Sequence, residues 1–272
     1  GDMVILGGYP SDGKTALALQ FASAIAKGKR VGYYSFESTR DKLYDRYVAR
    51  TAMISYNRIR QNELTEKDYR ELAALRSSLT APQLTLIDAA RMTVADIQAH
   101  SDLHGFDVIF VDYLQKVAAP KGARMSEFER VTAVSSEFQQ FGREHGTTIV
   151  ALSQLSRPDQ LSQKSKQKLP AWRRGPQLSD LRSSGQLEQD ADVIFFVFRE
   201  DYDLKDSDRF VRIAKNKDGE AGDWKKLKFD GDLQTFSATS YTPEPYHPRK
   251  KDQIEIHEIV GDNDPENPFL RG

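Results

Sequence analysis

A glycine-rich loop near the start of the chain restricts its possible folds more than any other feature. Residues 8–15 read GYPSDGKT, which fits the phosphate-loop pattern G-x-x-x-x-G-K-[ST]. An apolar run (3–7) precedes the loop, and a helical pattern that ends at Gly28 follows it. Glycines let backbone N–H groups turn toward phosphate oxygens, and the helix N-terminus adds further donors. The sequence therefore predicts a strand–loop–helix unit that binds a nucleotide.

The residue types of this loop predict individual contacts. Lys14 is expected to reach the β- and γ-phosphates, and the Thr15 hydroxyl is expected to ligate Mg²⁺. The predicted nucleotide-binding residues are Gly8, Pro10, Ser11, Asp12, Gly13, Lys14, Thr15 and Ala16.

The composition is that of a globular protein and excludes several classes of site. The chain has 272 residues, of which 39% are hydrophobic and 29% charged, as in proteins with an apolar core. It has no cysteine, which excludes disulfides and thiolate metal sites and is compatible with a cytoplasmic protein. No apolar run approaches the roughly 20 residues needed to span a bilayer, so we expect no membrane partner.

Strand and helix patterns alternate along most of the chain. Apolar runs at 3–7, 30–36, 83–89, 106–114, 147–154 and 192–199 predict strands, with helical periods between most of them. One helix is predicted over 64–79, and Thr65, Thr93 and Ser126 are predicted N-caps. Runs at 209–217 and 223–230 predict an antiparallel pair. The expected fold is α/β, a mainly parallel sheet flanked by helices with a C-terminal antiparallel extension.

The chain changes character near residue 240. Residues 241–272 are rich in proline and acidic side chains, which is typical of a mobile tail. We therefore expect one nucleotide-binding domain over residues 1–240 and a flexible tail over 241–272.

Two acidic residues are placed to serve the nucleotide. Asp112 follows the apolar run of the fourth predicted strand and is expected to hold Mg²⁺, whereas Asp107 at its other end is expected at the surface. Glu37 ends the second strand, where ligand-binding groups of parallel sheets lie. The pattern alone does not decide between a base that activates water and an ordinary loop carboxylate at Glu37.

Several motifs, in order and with similar spacing, resemble those of the ATPase domain of DnaB-type replicative helicases. They are PSDGKTALALQFA, YYSFES, VIFVDYLQ, ALSQLSR, LSDLRSSGQLEQDADVIFFVFRE and IAKNKDG, and the resemblance extends from Gly1 to about Ala238. The LSDLR and LEQDAD segments are the most specific. The resemblance implies a RecA-like fold, six-membered rings, and use of ATP and Mg²⁺ to move along single-stranded DNA.

The resemblance also assigns roles to single residues. Lys14 and Thr15 match the phosphate and Mg²⁺ positions, and Asp112 matches the second Mg²⁺ ligand. Glu37 matches the residue that activates the attacking water, and Gln154 matches a sensor of the γ-phosphate.

One position departs from the family pattern. Such helicases usually carry Lys-x-Arg on a late strand, and the arginine acts on the neighbouring subunit's nucleotide. This chain has Lys215-Asn216-Lys217, and a lysine lacks the planar, two-pronged donor geometry of arginine. The Lys-Asn-Lys segment is similar to the paired lysines of RecA-type recombinases, which act on a neighbouring subunit. Two exposed lysines before a turn are the alternative.

A basic loop over residues 157–175 and a second, shorter loop over residues 118–125 are the predicted DNA-binding segments. Residues 157–175 include six basic residues and a single acidic one, Asp159. Long loops inside a compact domain are usually functional. The family resemblance places both loops at a central channel and the LRSSG segment on the DNA backbone. The predicted DNA-binding residues are Lys121, Arg124, Lys164, Lys166, Lys168, Arg173, Arg174, Arg182, Ser183 and Gly185.

These observations favour an ATP-driven helicase motor, and two other interpretations remain open. One is a RecA/RadA-type ring ATPase that binds DNA without unwinding it, and the other is a ring-forming scaffold that binds nucleotide structurally. The expected partners are single-stranded DNA, further copies of the chain in a hexameric ring, and a primase or helicase loader. The family places a helical domain before the phosphate loop, so we expect an excised ATPase domain or a naturally short relative.

Overall fold

The computed structural model describes residues 1–80, 83–120, 122–155, 175–181, 184–204 and 206–239. These residues belong to one compact unit, Gly1–Ser240. The predicted tail, 241–272, lies outside the described residues, so its flexibility stays a prediction.

Among the described residues, nine strands form one sheet in the order β3-β2-β4-β5-β1-β6-β7-β8-β9. The pairings among β1 to β6 are parallel, and β7, β8 and β9 extend the sheet in antiparallel fashion. The predicted fold class is therefore confirmed. The strands are β1 (Met3–Gly8), β2 (Val31–Ser35), β3 (Leu84–Asp88), β4 (Val108–Asp112), β5 (Thr148–Gln154), β6 (Val193–Arg199), β7 (Arg209–Asn216), β8 (Trp224–Asp230) and β9 (Thr235–Ala238).

Eight α-helices are assigned within the described ranges. They are α1 (Lys14–Ile25), α2 (Arg40–Ala52), α3 (Tyr56–Gln61), α4 (Glu66–Ala74), α5 (Arg76–Thr80), α6 (Val94–His104), α7 (Glu127–His145) and α8 (Ser184–Asp190). Short 3-10 turns span Leu114–Lys116 and Leu178–Asp180. None of the helices described is both long and apolar enough to cross a membrane.

The three predicted N-caps are confirmed, but the prediction of one continuous helix over 64–79 was wrong. Thr65, Thr93 and Ser126 each form a capping box with the residue three positions later. The helix expected over 64–79 is instead α4 and α5, because Leu75 leaves helical geometry with φ −94° and ψ 6°. The short helix α3 and the edge strand β9 were not predicted.

The sheet has an apolar core on each face. In β4, Ile109 and Val111 pack into the cluster beneath α6, α7 and α8, whereas Val108 and Phe110 pack into the cluster beneath α1 and α2. Successive side chains of a strand point to opposite faces. A strand covered on both faces therefore reads as the continuous apolar run seen in the sequence.

The last strand is held to the first helix by one side chain. The amide of Gln20 donates to the carbonyl oxygen of Phe236 at 2.9 Å and accepts from its backbone N–H at 2.9 Å. Phe236 is 4% exposed, and its ring lies against Gly13 of the phosphate loop. Gln20 thus satisfies both outward backbone groups of Phe236 and fixes a residue that packs against the loop.

We expect Gln20→Ala to lower the free energy of unfolding by about 1–3 kcal/mol, because two half-buried hydrogen bonds are lost. Urea unfolding of the wild type and the variant measures this difference. Gln140→Ala is the matched control, since Gln140 is an exposed helical glutamine on α7, and its loss is expected to stay within about 0.5 kcal/mol. Equal losses in the two variants would contradict the assigned role of Gln20.

Candidate nucleotide-binding site

The phosphate loop lies between β1 and α1, at the carboxyl edge of the parallel strands. Gly13 has φ 95°, and a Cβ at this position would lie 2.8 Å from the Phe236 ring. A Cβ on Gly8 would lie 2.7 Å from the carbonyl oxygen of Val197. Both positions therefore require glycine, in agreement with the two fixed glycines of the phosphate-loop pattern.

The Lys14 ammonium is bound to the main chain of the loop. Its Nζ donates to the carbonyl oxygens of Gly8, at 2.8 Å, and of Tyr9, at 2.9 Å. Burial lowers the pKa of Lys14, and three nearby carboxylates oppose this effect. These carboxylates are those of Asp12, Asp112 and Glu37. An ammonium has three N–H donors, so one donor is left for a phosphate oxygen.

Asp112 ends β4 next to the first residues of α1. Its side chain is almost fully buried, and its Oδ2 accepts a hydrogen bond of 2.9 Å from the Tyr33 hydroxyl. Burial raises the pKa of Asp112, whereas hydrogen bonds from Thr15 and Tyr33 lower it. The carboxylate is thereby paired with the Thr15 hydroxyl, the other predicted Mg²⁺ ligand.

This pair fits a magnesium site. Mg²⁺ prefers oxygen ligands and is commonly held by one or two carboxylates together with the phosphates of a nucleotide. Over the ranges that the structure describes, no group of three or more His, Cys, Asp and Glu side chains could hold a metal ion. Thr15 and Asp112 therefore suit a metal that a nucleotide brings with it, and not a metal bound by protein ligands alone.

Glu37 lies two residues beyond the end of β2. The turn that carries it is fixed at both sides, since Phe36 N–H donates to the carbonyl oxygen of Asp112 at 2.8 Å and the Ser35 hydroxyl donates to the carbonyl oxygen of Ser38 at 2.6 Å. The Glu37 side chain is exposed, and its charge acts on both Lys14 and Asp112. The structure thus brings the predicted base to the predicted metal ligands.

Gln154 ends β5 in register with Gly8 of β1. Its backbone is fixed by Gln115, whose Oε1 accepts from the Gln154 N–H and whose Nε2 donates to its carbonyl oxygen, both at 3.2 Å. Gln115 Nε2 also lies 2.9 Å from the hydroxyl of Ser153. The Gln154 side chain is half-buried beside the phosphate loop, where the predicted sensor has to lie.

Lys215 and Lys217 lie at the opposite edge of the sheet. The antiparallel strand β7 ends where β6 begins, with Asn216 beside Val193. Lys215 Nζ donates to the carbonyl oxygen of Glu188 in the last turn of α8, at 2.6 Å, and to that of Ala191 directly after the helix, at 2.7 Å. Lys217 Nζ lies 3.1 Å from Asp192 Oδ1. Most of the length of β1, roughly 15 Å, separates them from the phosphate loop of the same chain. Neither lysine serves that loop, and their action on a neighbouring subunit stays a prediction.

Two of the predicted DNA-binding residues lie in the described part of the chain. Arg124 is exposed in the segment before α7, and Gly185 is exposed in the first turn of α8. The others lie outside the described residues: Lys121, Lys164, Lys166, Lys168, Arg173, Arg174, Arg182 and Ser183.

Sequence reasoning missed a polar cluster around Asp12. The Asp12 side chain is fully buried, and its Oδ2 accepts from the Tyr9 N–H at 3.1 Å and from the Tyr202 hydroxyl at 3.0 Å. Arg199 Nε lies 3.6 Å from the other carboxylate oxygen. The Tyr9 hydroxyl in turn donates to Asp180 Oδ2 at 3.3 Å. Asp12 therefore connects the phosphate loop with the segment after β6.

Burial raises the pKa of Asp12 to about 6, although the hydrogen bonds from Tyr202 and Tyr9 oppose this rise. Of the missed residues, Arg199 could have been predicted from its position in the sequence. It ends β6, the neighbour of β1, and groups beyond the carboxyl ends of adjacent parallel strands meet at one edge. Tyr202 and Asp180 lie in irregular or 3-10 segments, whose position the sequence pattern does not predict.

Comparison with known proteins places this geometry in a family. The profile of the DnaB-like helicase C terminal domain matches residues 1–238. The replicative DNA helicase DnaB of Geobacillus stearothermophilus is 31% identical over 231 residues, which cover 81% of this chain and 49% of that protein. The chain thus spans about half the length of this curated relative.

Two solved structures share the fold. One is an ATPase domain that is 29% identical with a TM-score of 0.76, over 88% of this chain and 84% of that chain. The other, a structure of a DnaB-like replicative helicase and its interactions with primase, is also 29% identical with a TM-score of 0.76, over 86% of this chain and 57% of that chain. These matches give no support to the recombinase interpretation. The chain belongs to the family of DnaB-like helicase C-terminal domains.

Proposed function

We propose that this chain is the motor domain of a replicative DNA helicase, which hydrolyses ATP between the subunits of a ring and moves along single-stranded DNA. The observation that carries the proposal is the convergence of Lys14, Glu37 and the Thr15–Asp112 pair at one edge of the sheet. A protein that only binds nucleotide has no use for a water-activating carboxylate beside the metal ligands. Membership of the helicase family supports DNA as the polymer along which the motor moves.

Each residue has a chemical role in this proposal. Lys14 offers its third N–H donor to the β- and γ-phosphates. Thr15 and Asp112 would hold Mg²⁺, which would supply positive charge beside the transferred phosphoryl group. Glu37 orients the attacking water and accepts its proton. Gln154 lies beside the loop and is proposed to hydrogen-bond the γ-phosphate.

The neighbouring subunit completes the site. Lys217 is half-exposed, with 56% of its side chain accessible, and is proposed to stabilise the phosphoryl charge of the adjacent subunit. Lys215 is largely engaged by carbonyl groups near the end of α8, so it supports the position of Lys217 as well as adding charge. A ring of six subunits is the family's arrangement and is part of the proposal.

DNA and protein partners follow from the same proposal. The backbone of Gly185 and the exposed side chain of Arg124 suit phosphate contacts, which give affinity without sequence preference. Phosphate contacts also make binding weaken as salt rises. A primase is a proposed partner, because one similar structure is that of a helicase and its interactions with primase, and a helicase loader is a second.

Glu37→Gln is expected to reduce the steady-state rate of ATP hydrolysis by about a hundredfold or more, because the variant cannot accept the proton of the attacking water. The rate per subunit of the wild type is expected to rise with protein concentration and with added single-stranded DNA. A phosphate-release assay over a protein dilution series, with and without a poly-dT oligonucleotide, measures both effects.

Glu63→Gln is the matched control for this variant. Glu63 is an exposed glutamate in the segment between α3 and α4, and its replacement is expected to leave the rate unchanged. A wild-type rate per subunit that depends neither on protein concentration nor on added DNA would contradict the motor proposal. Full activity in Glu37→Gln would contradict only the role of that carboxylate.

Mixing two inactive variants tests whether the site is shared between subunits. Lys217→Ala and Glu37→Gln are each expected to hydrolyse ATP slowly, and an equal mixture is expected to recover activity at interfaces where an intact Glu37 faces an intact Lys217. Lys225→Ala, an exposed lysine of β8, is the control and is expected to keep the wild-type rate. A mixture no faster than the average of its two components would rule out action in trans.

A further inference from the structure

We infer that the Tyr9 hydroxyl and the Asp180 carboxylate couple the phosphate loop to the segment that leads to the DNA contacts. This inference rests on the proposed function, since it concerns how nucleotide and DNA binding influence each other. Tyr9 is thereby a positioning residue, distinct from the groups that touch the nucleotide.

The first step of the coupling lies within the phosphate loop. Lys14 Nζ is bound to the carbonyl oxygen of Tyr9 at 2.9 Å and has one further donor for a phosphate. The N–H of Tyr9 donates to Asp12, whose side chain is fully buried. The N–H and the carbonyl group of Tyr9 are thus both bound by charged side chains of the loop. A phosphate that binds Lys14 therefore also acts on the position of Tyr9, through the hydrogen bond between Lys14 and the Tyr9 carbonyl oxygen.

The second step is the hydrogen bond from Tyr9 to Asp180. The Tyr9 side chain is 7% exposed, and its hydroxyl donates to Asp180 Oδ2 at 3.3 Å. Burial and the Asp180 charge raise the pKa of Tyr9, so the phenol stays protonated and remains a donor at neutral pH. The ring also packs edge-on against Tyr202, with centroids 6.0 Å apart.

The third step is the turn that contains Asp180. The same Oδ2 accepts the Gln177 N–H at 2.9 Å, so one carboxylate oxygen both closes the turn Leu178–Asp180 and binds the phosphate loop. The next residue, Leu181, is buried and pairs with Leu155 directly after β5. The chain then continues to α8, where Gly185 is exposed in the first turn.

A contact that depends on both ligands appears as a coupling factor, the ratio of the dissociation constants for DNA without and with nucleotide. By linkage, DNA must change the affinity for nucleotide by the same factor. A hydrogen bond that only stabilises the fold lowers the unfolding temperature and leaves this ratio unchanged. The two roles are therefore distinguishable in one set of binding measurements.

The experiment measures the affinity for a fluorescent poly-dT oligonucleotide with and without a non-hydrolysable ATP analogue, and the reciprocal affinity for the analogue. In Tyr9→Phe we expect the coupling factor to fall toward one, because the variant loses a hydrogen bond to a charged acceptor, which is worth about tenfold in an equilibrium constant. Asp180→Ala removes the acceptor of the same contact together with that of the Gln177 N–H, so we expect it to lower the coupling factor at least as far. Adding Tyr9→Phe to Asp180→Ala is expected to lower the factor no further, because the contact is already lost.

Tyr34→Phe is the matched control. Tyr34 is also a buried tyrosine whose hydroxyl contacts a side chain, His100 Nδ1 at 2.9 Å, on the other side of β4 from the phosphate loop. We expect it to keep the wild-type coupling factor. A Tyr9→Phe protein that is folded, as shown by its melting curve, and keeps the wild-type factor would overturn the inference.

Wild-type behaviour separates this inference from the proposed function. A wild-type chain that neither hydrolyses ATP nor binds the oligonucleotide would overturn the proposed function itself. A wild-type chain that does both with a coupling factor of one would overturn the present inference and leave the ATPase assignment standing.

Discussion

The parallel register of four neighbouring strands is the constraint on which the site depends. Ser35 of β2 pairs with Asp112 of β4, and Gly8 of β1 pairs with Gln154 of β5. Because all these strands run in one direction, the residues that follow them meet at one edge. The charges of three carboxylates from separate parts of the chain then act on the ammonium of Lys14 and oppose the lowering of its pKa by burial. A shift of one strand by one residue would turn its side chains to the opposite face and break up the group.

The parts of the fold that follow from local patterns were predictable. Capping boxes at Thr65, Thr93 and Ser126 marked helix starts, and apolar runs covered on both faces marked the parallel strands. Apart from Arg199, the partners of Asp12 were not predictable, because Tyr202 lies in an irregular segment that reaches the phosphate loop only once β6 lies beside β1. Sequence reasoning placed Asp12 in the loop but gave no reason for a buried carboxylate there.

The two late lysines differ in their surroundings, although they lie two residues apart at the end of one strand. Lys215 satisfies carbonyl groups near the end of α8, where a cation is favoured by the unpaired acceptors of the last turn. Lys217 is tied to Asp192, which also accepts the N–H of Met3 at the start of β1. At the edge of the sheet opposite the phosphate loop, the lysine side chains thus hold the ends of β1, β7 and α8 together. The Lys217 side chain stays exposed to solvent at this edge.

The clasp between Gln20 and Phe236 bears on how copies of this chain can associate. An exposed edge strand offers unpaired backbone groups on which another strand can add. Gln20 occupies both outward groups of Phe236, in the middle of a strand of four residues. Gln20 therefore blocks the addition of another strand at Phe236. In the proposed ring, subunits that met at this edge would associate through side-chain surfaces, which can slide and rotate, whereas a shared sheet would lock them together.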